Sequence, residues 1–296
     1  MDHLTTEQAN LESIALDSMT PIEIVRLMNH EDAKVLAAVE AVSETIAQAI
    51  EKITQRVRDG GRLMYLGAGT SGRLGVLDAV ECPTTFSTPP GQVVGIIAGG
   101  LGALTHAIEG AEDNELSAVE DLNRFELSAR DCLVGIATSG RTPYVIAGLR
   151  YARHMGALSV GITCNMASEL ESIVDLVIAP VVGPEILSGS TRLKAGTATK
   201  MVLNMISTAT MVQLGKTYGH WMVDLRASST KLKARSVRIV SAVTGMGFED
   251  ATHALAASGG EVKVAIASTR LGISAHEARL RLQAANGRLR TVLERD

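Results

Sequence analysis

The sequence predicts an α/β chain: a doubly wound parallel sheet flanked by helices, followed by a small all-helical domain. Three observations predict it. Five short apolar runs, at 63–66, 93–98, 133–137, 158–163 and 176–179, alternate with helical or loop segments. Those runs lack in–out alternation, as strands do when helices cover both faces of a parallel sheet. From about Arg235 no strand-like run remains, and short apolar segments are punctuated by glycine turns.

The elements follow in order. Thr20, Pro21 and Glu23 read as N-cap, first helical residue and capping-box acid, so a short helix should begin there. Val35, Val39, Val42, Ile46, Ile50, Ile53 and Val57 form one apolar stripe, which predicts a single long helix ended by Asp59-Gly60-Gly61. The helix after the first strand should stop near Pro83, because proline restricts the residue before it. A helix begun around Ala103 is expected to precede the acidic stretch 109–115. Thr142-Pro143 starts the helix after the third strand, Gly156 follows its end, and a further helix runs roughly over 191–214. Turns at Gly245-Met246-Gly247, Gly259-Gly260, Gly272 and Asn286-Gly287 divide the rest. The expected domains are 1–234 and 235–296.

Composition narrows the function. A chain of 296 residues, 46% hydrophobic, suffices for one sizeable core and a small appended unit. Acidic residues outnumber basic ones 32 to 28 and aromatics are 3%, so neither a basic field nor a stacking platform invites nucleic acid. Cys82, Cys132 and Cys164, odd in number and unclustered, read as reduced thiols. The polar segment 1–10 lacks the features of a signal peptide, and Pro89, Pro90 and repeated glycines interrupt the uncharged stretch 84–108. A cytoplasmic location with no membrane partner is expected.

Gly67-Ala68-Gly69-Thr70-Ser71-Gly72 directly follows the first strand and fits the glycine pattern of a dinucleotide-binding turn. That reading needs an acid near the end of the second strand for the ribose, and the second strand ends Ala98-Gly99-Gly100. No nicotinamide cofactor is expected. Thr138-Ser139-Gly140-Arg141-Thr142 repeats the chemistry after the third strand, and Ser188-Gly189-Ser190-Thr191-Arg192-Leu193-Lys194 opens a further helix. Hydroxyls and free N–H groups at helix starts suit phosphate oxygens, where the helix dipole favours negative charge. Ordinary capping explains any one such loop. Three together point to a phosphorylated ligand, held by Gly69, Thr70, Ser71, Gly72, Ser139, Gly140, Arg141, Thr142, Ser190, Thr191 and Lys194.

Two acidic regions can supply acid–base chemistry. Glu81, beside Cys82 and Pro83, is either partly buried, which would raise its pKa and suit a general acid, or at a solvated helix end. In Glu109-Gly110-Ala111-Glu112-Asp113-Asn114-Glu115 the residues alone do not single out one carboxylate. The seven histidines form no metal-ligand pair with this cluster, and no nucleophile elbow is present, so neither a metal nor covalent catalysis is indicated.

The segments 66–75, Glu81-Cys82-Pro83, 109–113, 139–144, 189–197 and Met222-Val223-Asp224 together resemble the N-acetylmuramic acid 6-phosphate etherases, in order and over nearly the whole chain. The resemblance implies a sugar-isomerase (SIS) fold and cleavage of the lactyl ether of N-acetylmuramic acid 6-phosphate to N-acetylglucosamine 6-phosphate and D-lactate. It implies no cofactor and no metal, an acid–base pair at Glu81 and Glu112, and a homodimer. The C-terminal region faintly resembles the ubiquitin-associated type of fold, as a structural appendage. The alternatives are a sugar-phosphate isomerase, or a sugar-phosphate-sensing regulator like the glucokinase regulatory protein.

Overall fold

The computed structural model describes residues 4–225, 227 and 229–294. Contacts divide the chain into two compact units, Met1–Ala79 with Gly91–Ser207, and Val80–Pro90 with Thr208–Asp296.

The first unit carries one five-stranded sheet of β1 (Leu63–Gly67), β2 (Val93–Ile97), β3 (Cys132–Ile136), β4 (Leu158–Ile162) and β5 (Leu176–Ile178). All neighbours are parallel in the order β2-β1-β3-β4-β5. Every residue of β1, β3 and β4 is buried, which is why their sequences run apolar without alternation. The helices of the unit are α1 (Pro21–Glu40), α2 (Ser43–Arg58), α3 (Gly69–Phe86), α4 (Glu115–Arg124), α5 (Pro143–His154) and α6 (Lys194–Gln213). The last turns of α3 and the C-terminal third of α6 belong to the second unit.

Successive residues of β1 serve opposite faces. Met64 and Leu66 join Leu122 of α4 and Tyr144, Val145 and Leu149 of α5 in one core. Tyr65 faces the other side, where its hydroxyl donates to Asp78 of α3 at 2.8 Å, and Asn204 and Ser207 of α6 donate to the same carboxylate at 2.7 and 3.1 Å. Helices on both faces make the sheet doubly wound, the fold class the strand pattern predicts.

Three local expectations fail for identifiable reasons. The capping box forms, with the Glu23 carboxylate accepting from the Thr20 N–H at 2.7 Å, but α1 runs 20 residues and the expected long helix is broken at Ala41-Val42. Val39, Ile46 and Ile53 stay on one buried face across the break, so the stripe conceals it. Helix α3 continues through Pro83 to Phe86. Near the end of a helix a proline removes one hydrogen bond and little remains beyond it to disrupt. No α-helix starts at Ala103: a 3-10 turn covers Leu101–Leu104, Gly99, Gly100 and Gly110 all take positive φ, and the acidic stretch leads into α4 instead of following a helix.

In the second unit, α7 (Thr230–Thr244), α8 (Phe248–Ala257), α9 (Val262–Leu271), α10 (Ala275–Ala284) and α11 (Leu289–Leu293) enclose a core that includes Val237, Val240, Leu255, Val264 and Ile266. Gly245 and Gly272 end α7 and α9 in the left-handed conformation, as the turn signals predict. Residues 234 and 235 lie inside α7. Among the described residues no helix is long and apolar enough to cross a membrane.

Candidate active site

The connections from β1 and β3, adjacent strands, leave toward opposite sides of the sheet, which opens a crevice at their carboxyl ends. The chain leaves β1 through Ala68 and enters α3 at Gly69. A Cβ on Gly72 would lie 2.6 Å from the Gly67 carbonyl oxygen and 2.6 Å from Ile97 Cγ1, so only glycine lets the first turn of α3 press onto the ends of β1 and β2. By position, the first N–H groups of α3 have no carbonyl one turn earlier within the helix. Thr70 and Ser71 stand on that turn.

The loop after β3 is pinned as firmly. Gly140 has φ +72°, and a Cβ there would meet Ser168 Cβ at 2.4 Å. Asn165 Nδ2 and Thr163 Oγ1 donate to the Thr138 carbonyl at 2.9 and 3.2 Å. Ser139 Oγ accepts from the Arg141 N–H at 3.3 Å.

Between the loops lies a cleft of about 580 Å³. Its walls include Gly69, Thr70 and Ser71 from the first loop, Ser139, Arg141 and Thr142 from the second, and Gly189 and Thr191 from the segment before α6. Glu112 and Asp113 line it from the 3-10 turn Ala111–Asp113. Of the acids in 109–115 that sequence alone left undivided, these two reach the cleft.

Other expected residues are placed differently. Gly72 and Gly140 are buried beneath the loops as scaffold, and Ser190 lies between two lining residues without lining the cleft. Lys194 is 2% exposed, its ammonium paired with the Glu31 carboxylate of α1, so it is not a free cation in the cleft. Burial opposes ionisation of Glu31, but hydrogen bonds from Lys194 and Lys34 outweigh it and hold the carboxyl below its usual range. The start of α6 is occupied from within: Glu185 accepts from the N–H groups of Lys194 and Ala195 at 3.1 and 2.9 Å. Burial pushes the Glu185 carboxyl up despite those two bonds. Glu81 is solvent-exposed on α3, so of the two alternatives the solvated one describes it within one chain.

Sequence reasoning missed four residues. Leu4 and Glu7 line the cleft, and Glu31 and Glu185 occupy the start of α6. None belongs to a glycine loop or a periodic stripe. The cysteines are all buried, and burial pushes the Cys164 thiol up to about 12, which disfavours a nucleophilic thiolate. A larger groove of about 1380 Å³ lies within the second unit, but its Lys216 and Lys263 are already paired with Asp224, at 3.1 and 2.8 Å.

Family models match two stretches, the glucokinase regulatory protein N-terminal SIS domain over 45–153 and the SIS domain over 118–209. Among solved structures, a phosphoheptose isomerase from Neisseria gonorrhoeae matches with a TM-score of 0.51 at 17% identity, covering 64% of this chain and 98% of that one, which bears on the fold alone. An N-acetylmuramic acid 6-phosphate etherase of Rhodopirellula baltica is 54% identical over 99% of this chain and 97% of its own length. Another, of Brucella anthropi, is 52% identical over 99% and 95%. Identity at that level over whole chains, on the SIS fold with its two loops in place, shows that this chain belongs to the N-acetylmuramic acid 6-phosphate etherase family.

Proposed function

We propose that the chain cleaves the D-lactyl ether of N-acetylmuramic acid 6-phosphate, giving N-acetylglucosamine 6-phosphate and D-lactate, in the cytoplasmic recycling of cell-wall sugar. The observation that carries this reading is one cleft in which two hydroxyl-glycine loops and the Glu112 carboxylate meet. The phosphate sits against Thr70, Ser71, Ser139 and Thr142 at the first turns of α3 and α5, with Arg141 and Thr191 beside it. Hydroxyls, backbone N–H groups and one cation favour a doubly charged phosphate there.

The reaction needs the open-chain sugar, whose carbonyl acidifies the hydrogen on the next carbon. Glu112 takes that proton, the electron pair forms a double bond as the carbon–oxygen bond to lactate breaks, and an acid protonates the departing oxygen. Water then adds its oxygen where lactate left, and the proton returns beside the carbonyl. Loop N–H groups or a hydroxyl stabilise the developing enolate oxygen.

The departing oxygen's acid is Glu81 in this reading. Its neighbours on α3, Leu77 and Val80, are 52% and 58% exposed, an apolar pair that suits a second copy of the chain. A homodimer packed on this face would cover Glu81 and let it complete a site shared with the neighbouring subunit. Catalysis is assigned to the sheet-bearing part of the chain, with helices α7–α11 as a helical appendage.

The test is D-lactate release from N-acetylmuramic acid 6-phosphate, without added metal or nucleotide, by the wild type, Glu81→Gln and Glu112→Gln. Each substitution should lower kcat ~10²–10⁴-fold, the usual worth of one acid or base. Phosphosugar binding without lactate release by the wild type would move the reading to a regulator, and sedimentation as a monomer at working concentration would remove the shared-site explanation for Glu81.

A further inference from the structure

The N-terminal segment is built into the cleft. Thr6 is fully buried, its N–H donating to Asn165 Oδ1 at 3.3 Å and its hydroxyl accepting from Asn165 Nδ2 at 3.0 Å. Thr5 Oγ1 donates to Asn165 Oδ1 at 3.0 Å, and Asn10 Nδ2 donates to the Pro184 carbonyl at 3.3 Å. The segment is therefore strapped to the chain beyond β4 and β5. Glu112 enters the crevice from the other side, on the connection between β2 and β3.

Within the strap, Thr5–Glu7 is a 3-10 turn closed by the Glu7 N–H on the Leu4 carbonyl at 3.1 Å. Residues three apart in such a turn eclipse one another. Leu4 and Glu7 accordingly both line the cleft, an apolar side chain at 4% exposure beside an exposed carboxylate. Glu7 Oε2 lies over Gly189, where a Cβ would approach it to 3.4 Å. Among the described residues, the Glu7 carboxylate has no hydrogen-bond or ion-pair partner.

A carboxylate repels the phosphate, so Glu7 must meet another part of the sugar, one that offers a donor. An acetamido group offers an N–H donor and a methyl group a few ångströms apart, the same two requirements that Glu7 and Leu4 pose. We propose that the N-terminal turn is the specificity element of the cleft: Glu7 accepts from the amide N–H of the sugar's 2-acetamido group while Leu4 packs on its methyl. The proposal rests on the phosphosugar reading of the cleft and adds which substituent is recognised, and by what.

Calorimetric titration with N-acetylglucosamine 6-phosphate and with 2-deoxyglucose 6-phosphate tests it without requiring ether cleavage. The wild type should bind the acetylated ligand at least tenfold more tightly. Glu7→Ala should reduce that preference to threefold or less by weakening the acetylated ligand alone, and Leu4→Ala should reduce it in part. Equal binding of the two ligands by the wild type, a preference that survives Glu7→Ala, or an equal loss for both ligands would overturn the proposal. The etherase reading is judged separately by D-lactate release: lactate released with no effect of Glu7 on preference sinks this inference alone, and preference lost with Glu7 but no lactate released sinks the reaction alone.

Discussion

Helices α3 and α6 begin in similar sequence, glycine and hydroxyl residues ahead of a basic side chain, yet they differ in what their first turns can hold. At α3 the turn carries Thr70 and Ser71 into the cleft. At α6 the N–H groups of Lys194 and Ala195 already face the Glu185 carboxylate, and the Lys194 ammonium faces Glu31. A helix start accommodates one anion, and the chain supplies its own at α6. The difference teaches that the availability of a phosphate site depends on residues outside the loop as much as on the loop.

Substitutions should separate the two starts. The largest effect is expected from Lys194→Met, which among the described residues leaves the buried Glu31 with Lys34, a half-exposed partner. Removing one member of a buried pair costs about 3–5 kcal/mol, and urea unfolding should show a loss near the lower end because Lys34 remains. An unchanged midpoint would mean that the α6 start is not held from within.

Next come Ser71→Ala and Thr70→Ala at the open start. A hydrogen bond to a charged group is worth about 1.5–3 kcal/mol, so KM for the phosphosugar should rise roughly tenfold or more for each. Stability should move by less than about 0.5 kcal/mol, as for surface substitutions. Steady-state kinetics beside urea unfolding would expose the reverse pattern, which would erase the contrast with α6.

The smallest effect is a pH dependence. Burial raises the Glu185 carboxyl above its ordinary value of 4.5, so between those two pH values the folded chain binds more protons than the unfolded one. Stability from this group is present at low pH and is lost as pH rises through the raised value. The stability of the wild type relative to Glu185→Gln should therefore fall from pH 4 to pH 8, with a flat difference between the two urea midpoints counting against a buried carboxylate at α6.

The strands were legible almost residue by residue, because burial on both faces leaves a continuous apolar run between breakers, as in 133–137 for β3. The loops after β1 and β3 were legible because glycine and hydroxyl residues cluster where the chain must turn tightly. The break between α1 and α2 was hidden, since neither Ala41 nor Val42 is a breaker and the buried stripe continues past them. Glu31 pairs with Lys194 at a separation of 163 residues, and Thr6 meets Asn165 at 159, contacts with no local signal. Gly72 and Gly140 read from sequence as ligand contacts, whereas what requires glycine at both is close packing under the loops.

The most direct test of the account follows isotopes through one turnover of N-acetylmuramic acid 6-phosphate in deuterated, oxygen-18 water. Elimination and hydration predict one solvent deuteron on the carbon beside the carbonyl and solvent oxygen on the carbon that carried lactate, with the ether oxygen leaving in D-lactate. Solvent oxygen in the lactate, with no deuteron in the sugar, would place the cleavage on the lactyl side and contradict a base at Glu112.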